Sequence, residues 1–349
     1  MLTVTIEPSI FAPPSNKATA EAIRGYVSAL LHWKSVLDSG FARLLACTTT
    51  CDVLIRSGAY PFRPLLRELL SDAYVTEYDF NTIAVVAETL MGRSGQLESA
   101  ASIRDILTSD DTVIQPNVLA DHFPEALRAE AEKCLMIVAI IRTISRDPQA
   151  SGYALALKSD LASKVVSVDA RIDIIDHTRA DLERLPLAPS RFRGDAIVCR
   201  SFPALLQTLD GVALWKSASS GADMETAIRV AVYKSRTSRG AAANWTERPR
   251  FRVDDRFYDT ACRCGALTTD SLARSALRSI VEAVEDLQMA SVHALRTGPG
   301  PEERQQARGK DLAWRRDITY EHHLHYWRCS DGSTELSCMV AHNCFDIFR

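Results

Sequence analysis

Apolar residues recur every three or four positions along much of the first 146 residues, which is the spacing of an amphipathic helix. In segment 19–37, for example, Ile23, Val27 and Leu30 fall on one side. Segment 124–146 contains the longest apolar run of the chain and is expected to cross a core. The pattern predicts helices over 19–37, 48–56, 62–72, 78–92, 98–107 and 124–146, and strands over 2–11 and 41–47.

Shorter strand-like segments begin near residue 151. We expect strands over 153–158, 164–169, 171–176 and 195–199, and helices over 201–209 and 223–233. Segment 235–248 is rich in Ser, Arg, Gly, Ala and Asn, so it is expected to be an exposed linker.

The last hundred residues form a pattern of their own. They predict a strand over 251–258, helices over 269–293 and 302–314, and a terminal β-hairpin. The fold class is therefore expected to be α/β or α+β, with an N-terminal α/β domain rich in helices and a smaller C-terminal α+β domain that ends in the hairpin. We expect a helical domain over 1–150, a middle α/β region over 151–248 and the C-terminal domain over 249–349.

The hairpin has a predictable register. Asp331-Gly332 favours a two-residue turn, which would pair Ser330 with Ser333. Residues alternate between the faces of a strand, so Glu321, His323, His325 and Trp327 are expected on one face. In this register they lie opposite His342, Val340, Cys338 and Leu336, and the other face, with His322, Leu324 and Tyr326, is the expected core side.

The candidate chemistry lies in this hairpin, which carries four of the eight histidines of the chain. Histidine exchanges protons near neutral pH, so an acid–base site is one interpretation. In it Glu321 and His342, or His323 and His325, transfer protons, and Arg315, Arg316 or Arg296 stabilises a phosphate. A second interpretation is a metal site on His323, His325 and His342 with Glu321 or Cys338. A third is that these histidines only pack beside Trp327.

A basic segment precedes the hairpin. Six arginines and one lysine lie between Arg296 and Arg328, and arginine binds phosphate with two parallel hydrogen bonds. Trp314 and Trp327 have the side chains to stack on a base. Neighbouring acids partly cancel this charge, so a solvated face is the alternative. The expected nucleic-acid-binding residues are His293, Arg296, Arg304, Arg308, Lys310, Trp314 and Trp327.

Residues 250–349 resemble the RelE/ParE toxin superfamily. The resemblance rests on the order of elements, the Arg-rich entry to the hairpin and the ending Val340-Ala-His-Asn-Cys-Phe-Asp-Ile-Phe. It implies a ribonuclease that works without metal, and by position it implicates Arg315 or Arg316, His323 or His325, Tyr326 and His342. The ParE branch of the superfamily is not a ribonuclease.

The N-terminus, Val4-Thr-Ile-Glu-Pro-Ser-Ile-Phe, and the later Leu44-Leu-Ala-Cys-Thr-Thr-Thr-Cys-Asp are similar to the opening of PIN-type nucleases. That resemblance implies a divalent metal held by Glu7 and Asp52, because clustered carboxylates hold such ions against a phosphodiester. The sequence has Glu7 where those nucleases have Asp. An α/β scaffold with surface acids is the other interpretation.

Composition narrows the choice of function. The net charge of −3 gives no global attraction to nucleic acid or to an anionic membrane. P-loop, H-E-x-x-H and G-x-S-x-G motifs are absent from the sequence, which argues against nucleotide-driven motors, zincins and α/β-hydrolases. Nine cysteines without a C-x-x-C pair are expected to be free thiols of a cytoplasmic protein.

We therefore expect a nucleic-acid-processing protein of bacterial toxin or defence type, most simply a metal-independent endoribonuclease. The expected partner is nucleic acid, RNA rather than DNA, with a protein partner such as an antitoxin also possible, and no membrane. No cofactor is expected. The alternatives are a non-catalytic subunit that docks nucleic acid or protein, and a divalent-metal enzyme that uses the histidines of the hairpin.

Overall fold

The computed structural model describes residues 2–15, 17–109, 112–120, 124–144, 152–158, 165–180, 190–287, 291–300 and 302–348. The chain forms two compact units, an N-terminal unit of residues 2–208 and a C-terminal unit that begins at Leu209. Both combine helices with a mixed sheet, which confirms the α/β or α+β class.

The N-terminal unit follows the predicted pattern in its first half and becomes richer in strands in its second. Its elements are β1 (Leu2–Ile6), α1 (Ala20–Ser39), β2 (Ala42–Ala46), α2 (Thr50–Arg56), α3 (Arg63–Asp72), α4 (Phe80–Arg93), β3 (Gly95–Gln96), α5 (Leu97–Ala101), β4 (Ile103–Thr108), β5 (Val113–Gln115), α6 (Glu125–Ile144), β6 (Tyr153–Ala156), β7 (Val165–His177), β8 (Ser190–Cys199) and α7 (Phe202–Thr208).

The order of its sheet is β3-β2-β1-β6-β8-β7-β4, with β5 paired to β7. The first five strands in this order run parallel, and β7 and β4 are antiparallel additions. The chain leaves β1 towards β2 and later returns to the other side of β1 with β6. Ligands of open parallel sheets bind outside the carboxyl ends of the strands at such a reversal.

Helix α6 forms the centre of this unit. All eight residues from Cys134 to Ile141 are buried, so the helix is covered on every side, as its continuous apolar run predicts. The starts of two other helices are also determined by the local sequence. The side chains of Thr19 and Asp79 accept backbone hydrogen bonds at the starts of α1 and α4.

The units divide the chain differently from the regions expected from sequence. The boundary lies after Thr208, whereas the sequence pattern placed boundaries after residues 150 and 248. β6 pairs with β1 in one sheet, so the strands on both sides of residue 150 depend on each other. The segment expected as a linker begins inside a helix, Gly221–Ser238, and only after it becomes irregular and exposed.

The C-terminal unit contains α8 (Gly211–Lys216), α9 (Gly221–Ser238), β9 (Phe251–Val253), α10 (Phe257–Arg263), α11 (Asp270–Val284), β10 (Val292–Ala294), β11 (Ala307–Arg308), β12 (Asp311–Asp317), β13 (His322–Arg328) and β14 (Thr334–Ala341). The order of its sheet is β10-β12-β13-β14-β9, with β11 paired to β12. The pairs are antiparallel except for β9, which runs parallel to β14.

Two helices predicted from sequence were wrong over most of their length. Segment 302–314 forms β11 and most of β12 instead of a helix, because β12 pairs with β13 over six residues. Segment 98–107 is helical only as far as Ala101 and then becomes β4. In both cases strand pairing overrides a local helical pattern, with the next strand, β13, for the first segment and with the distant β7 for the second.

Among the described helices, none has the length and apolar character needed to cross a membrane.

Candidate functional site

The terminal hairpin is present, but its turn is longer than predicted. Cys329 and Ser333 close a three-residue loop, and the Cys329 carbonyl accepts a hydrogen bond from the Gly332 amide at 3.0 Å. Gly332 has a φ of +79°, which explains the glycine at this position. The longer loop moves the register by one residue, so Trp327 faces Glu335 and not Leu336.

A β-bulge corrects this offset further along the hairpin. His325 faces Cys338 while Tyr326 faces Leu336, which leaves Ser337 as the extra residue of β14. Beyond the bulge the predicted register is therefore confirmed, and His323 faces Val340.

The face opposite the expected core side is also largely covered. Nδ1 of His325 lies 2.8 Å from the Asp346 carbonyl, and Nε1 of Trp327 donates to the Phe348 carbonyl at 2.8 Å. The Phe348 amide in turn donates to the hydroxyl of the bulged Ser337. We call residues 344–348 the C-terminal strap, because they lie across this half of the face.

Burial beneath the strap determines the chemistry of His325. Desolvation lowers its pKa to about 4, even though the carbonyl of Asp346 favours the protonated ring. The ring is thus neutral near pH 7 and donates through Nδ1 to a carbonyl. The sequence predicted that His325 and Trp327 contact substrate. Both side chains are fully buried and do not reach solvent.

The opposite face packs against helices, as predicted for Leu324 and Tyr326. Burial raises the pKa of Tyr326. Arg316 is also on this side, where its guanidinium contacts the Glu282 carboxylate and donates to the Leu287 carbonyl at 3.0 Å. Its position makes it a structural cation rather than a free phosphate ligand. His322, expected in the core, is half-buried at the start of β13.

The part of the first face that lies beyond the strap contains a polar cluster. Nε2 of the buried His323 lies 3.1 Å from Oδ1 of Asp317, its neighbour across β12 and β13. Oδ2 of Asp317 lies 4.0 Å from Nε2 of His293 on β10. Asp317 thus lies between a buried and an exposed imidazole, with about half of its own side chain in solvent.

His342 and Tyr320 complete this cluster on the solvent side. The ring of the exposed His342 lies 4.6 Å from that of His323, centroid to centroid, and Tyr320 stacks on His342 at 5.5 Å. The side chain of Tyr320 is 88 % exposed. The His342 amide donates to the Glu321 carbonyl at 2.9 Å, which holds the two strand ends together, while the Glu321 side chain is exposed.

Arg315 supplies a cation on the same face. It pairs with His293 on one side and with His325 on the other, so the three side chains share a face of the sheet. Nε of Arg315 is buried and has no hydrogen-bond partner in the described part of the chain. Arg315 therefore differs from Arg316, whose charge is neutralised inside the unit.

The pKa of His323 reports the electrostatics of this cluster. Desolvation lowers it most, the Asp317 carboxylate opposes this change, and Arg315, His342 and His293 lower it further. His323 is thus surrounded by three other basic side chains and one carboxylate. We call His293, Arg315, Asp317, Tyr320, His323 and His342 the histidine cluster.

Most of the other predicted nucleic-acid-binding residues have partners inside the unit. Arg308 binds Glu335 with both terminal nitrogens and lies 4.8 Å above the Trp327 ring. Arg296 donates to the Glu303 carbonyl at 2.6 Å. Trp314 is half-buried under the guanidinium of Arg328. Arg304 and Lys310 are exposed.

The two metal sites expected as alternatives have no converging ligands. Glu7 is fully buried at the end of β1, where its carboxylate accepts a hydrogen bond from the Lys158 amide, whereas Asp52 is exposed on α2. In the described residues, neither this pair nor the set His323, His325 and His342 belongs to a group of three ligand atoms within 4.8 Å of one another.

Sequence reasoning missed Asp317 and Tyr320 as members of the cluster. Asp317 reaches His323 only through the β12–β13 register, and β12 was largely predicted as a helix. Tyr320 lies in the short connection between these strands, where strand alternation gives no prediction. A sequence signal was nevertheless present, since Asp317 and Tyr320 both lie within the five residues before the histidine-rich strand.

Comparison of the chain with protein-family models, with curated proteins and with solved structures gives no match.

Proposed function

We propose that the C-terminal unit is a metal-independent ribonuclease whose active site is the histidine cluster. The observation that carries this proposal is the grouping of two exposed imidazoles, His293 and His342, with the cation of Arg315 around the pair of buried His323 and exposed Asp317. Cleavage of RNA by its own 2′-hydroxyl requires a base, an acid and a cation, and no other reagent.

His293 is the proposed general base. Its Nε2 lies 4.0 Å from Oδ2 of Asp317, and a carboxylate beside an imidazole orients the ring. About half of the His293 side chain is exposed, so a ribose hydroxyl has access to it. Asp317 is itself held by His323, which makes His323 a positioning residue.

His342 is the proposed general acid. The base takes the proton from the 2′-hydroxyl, and the oxygen attacks phosphorus as the bond from phosphorus to the 5′-oxygen breaks. His342 gives its proton to that leaving oxygen. The products are a 2′,3′-cyclic phosphate and a free 5′-hydroxyl, so atoms and charges balance without water or metal.

Arg315 and Tyr320 bind the substrate in this proposal. A guanidinium donates to two phosphate oxygens at once, and it stabilises the charge that gathers on them in the transition state. The exposed ring of Tyr320 is a stacking platform for a base, a contact worth about 1–3 kcal/mol in single-strand recognition. Exposed Arg304 and Lys310 supply non-specific attraction to the backbone.

The resemblance to the RelE/ParE superfamily supports this reading and suggests a bacterial toxin or defence role, with a protein antitoxin as a possible partner. The alternative of a non-catalytic docking subunit predicts that the same face binds RNA and leaves it intact.

Incubation of the full chain with single-stranded RNA and with the matching DNA, in buffer that contains EDTA, tests the proposal. We expect cleavage of RNA only, with fragments that end in 2′,3′-cyclic phosphate. Circular dichroism in the same buffer checks that the fold is intact. Binding of RNA without cleavage would favour the docking subunit, and cleavage of DNA or an absolute requirement for added Mg²⁺ would overturn the proposed chemistry.

A further inference from the structure

A second group of reactive side chains lies in the N-terminal unit, at the carboxyl ends of its parallel strands. Cys47 directly follows β2, Glu98 lies in α5 after β3, and Glu130 lies in the second turn of α6. The order of strands reverses next to β1, one strand away, which is where parallel sheets bind ligands. The proposed ribonuclease does not use this group.

Three of its ligand atoms converge. The sulfur of Cys47 and one carboxylate oxygen each from Glu98 and Glu130 all lie within 4.8 Å of one another. A second thiol is adjacent, since Sγ of Cys134 lies 2.7 Å from Sγ of Cys47. Cys134 follows Glu130 by one helical turn, so both side chains project from the same face of α6.

Hydrogen bonds orient the two carboxylates. The Thr48 amide donates to Oε2 of Glu98 at 3.0 Å, and the Thr49 hydroxyl donates to Oε1 of Glu130. The remaining oxygen of Glu98, Oε1, is buried and accepts no hydrogen bond among the described residues. Metal-binding carboxylates are commonly held in this way, with one oxygen fixed by the protein and the other directed to the ion.

The charge around the group also favours a cation. Lys133 is the neighbouring ammonium, and it lies 3.7 Å from Glu98 and 3.3 Å from the exposed Asp105. It also acts electrostatically on Glu130, so one positive charge faces three carboxylates. Glu98 is only 7 % exposed, and Oε1 of Glu98 has the ammonium of Lys133, at 3.7 Å, as its ion-pair partner among the described residues. A buried carboxylate without a hydrogen bond to this oxygen would gain from a closer cation.

From this geometry we infer that Cys47, Glu98 and Glu130 bind one zinc ion, with Cys134 as a wall of the site. A thiolate excludes magnesium and calcium and favours zinc, which accepts sulfur and carboxylate oxygen in tetrahedral coordination. The ion would link the residue after β2 with α5 and α6. It would thereby stabilise the carboxyl edge of the sheet.

Metal analysis of the purified full chain, followed by Co²⁺ titration of the chelator-treated protein, tests the inference. We expect one equivalent of zinc per chain and a sulfur-to-cobalt charge-transfer band. Cys47→Ser should abolish the band and weaken binding by more than about 100-fold, since even groups that only orient a ligand are worth about 10–100-fold. Glu130→Gln, which preserves side-chain size, should weaken binding in the same direction.

Cys199→Ser is the matched control. Cys199 is also a buried thiol at the carboxyl end of a parallel strand, β8, but it lies outside the converging group. It should bind Co²⁺ like the wild type. A wild-type chain without zinc that gives no cobalt–sulfur band would overturn the inference, as would a band that survives Cys47→Ser. A Cys47–Cys134 disulfide whose reduction fails to restore Co²⁺ binding would also overturn it.

Discussion

Nε2 of His323 lies 3.1 Å from Oδ1 of Asp317, yet only 1 % of the His323 side chain is exposed against 47 % for Asp317. The pair spans the boundary between the interior of the C-terminal unit and solvent. The buried imidazole therefore holds the carboxylate in place, and the exposed carboxylate presents its second oxygen to His293. In the proposed ribonuclease, proton transfer to a substrate falls to the exposed His293 and His342, whereas His323 and His325 are buried.

Acid should destabilise the C-terminal unit through His325. Its pKa in the folded chain is about 4 against an ordinary 6.5, so the unfolded chain binds more protons between these values. The free energy of unfolding therefore falls as pH drops from about 6.5 to about 4, by roughly 3 kcal/mol in total. Denaturant unfolding at a series of pH values measures this slope.

His325→Asn is the variant that isolates this effect. Asparagine retains an N–H donor for the Asp346 carbonyl and does not titrate, so the variant should show a shallower acid slope than the wild type. An acid slope equal to that of the wild type would show that other groups cause the loss of stability.

Arg316 should contribute mainly to stability, whereas the adjacent Arg315 should contribute mainly to RNA cleavage. Arg316→Ala removes the ion-pair partner of Glu282, whose side chain is 13 % exposed, and should lower the free energy of unfolding by about 3–5 kcal/mol. Arg315→Ala breaks no ion pair among the described residues and should leave the unfolding midpoint near that of the wild type, while RNA cleavage falls about 10²–10³-fold. Thermal unfolding and initial cleavage rates distinguish them. A thermal midpoint for Arg315→Ala as low as that of Arg316→Ala would contradict this division.

The C-terminal strap should loosen when its indole donor is removed. Trp327→Phe removes the hydrogen bond to the Phe348 carbonyl, at a cost of about 1 kcal/mol. Amide hydrogen exchange at residues 345–348 should become faster. Trp314→Phe is the control, because Nε1 of Trp314 has no hydrogen-bond partner in the described residues. Equal exchange of the strap in both variants would contradict the assigned contact.

Local patterns predicted the elements of the N-terminal unit well where helices have a clear apolar stripe. Helices α1, α3, α4 and α6 lie within two residues of their predicted ends. The pattern failed where strand pairing decides the conformation of residues that are compatible with a helix. Segment 302–314 is such a case, because its antiparallel pairing with the next strand, β13, makes its second half extended.

The candidate site was predicted in part. The sequence indicated the hairpin, and its register beyond the bulge placed His323 correctly opposite Val340. It did not predict the strap, because strand alternation describes the two faces of a sheet but not which later segment covers one of them. That segment buries His325 and Trp327, and it leaves His342 and His293 as the accessible imidazoles.

The most direct test of the histidine cluster is the initial rate of RNA cleavage for His342→Gln and His293→Gln beside His322→Gln. His322 is half-buried on the other side of β13, so its substitution controls for the loss of an imidazole from the hairpin. We expect the rate to fall about 10²–10⁴-fold for each of the first two variants and to stay near that of the wild type for the third. Equal rates in all three variants, with RNA still cleaved, would contradict the assignment of the histidine cluster as the active site.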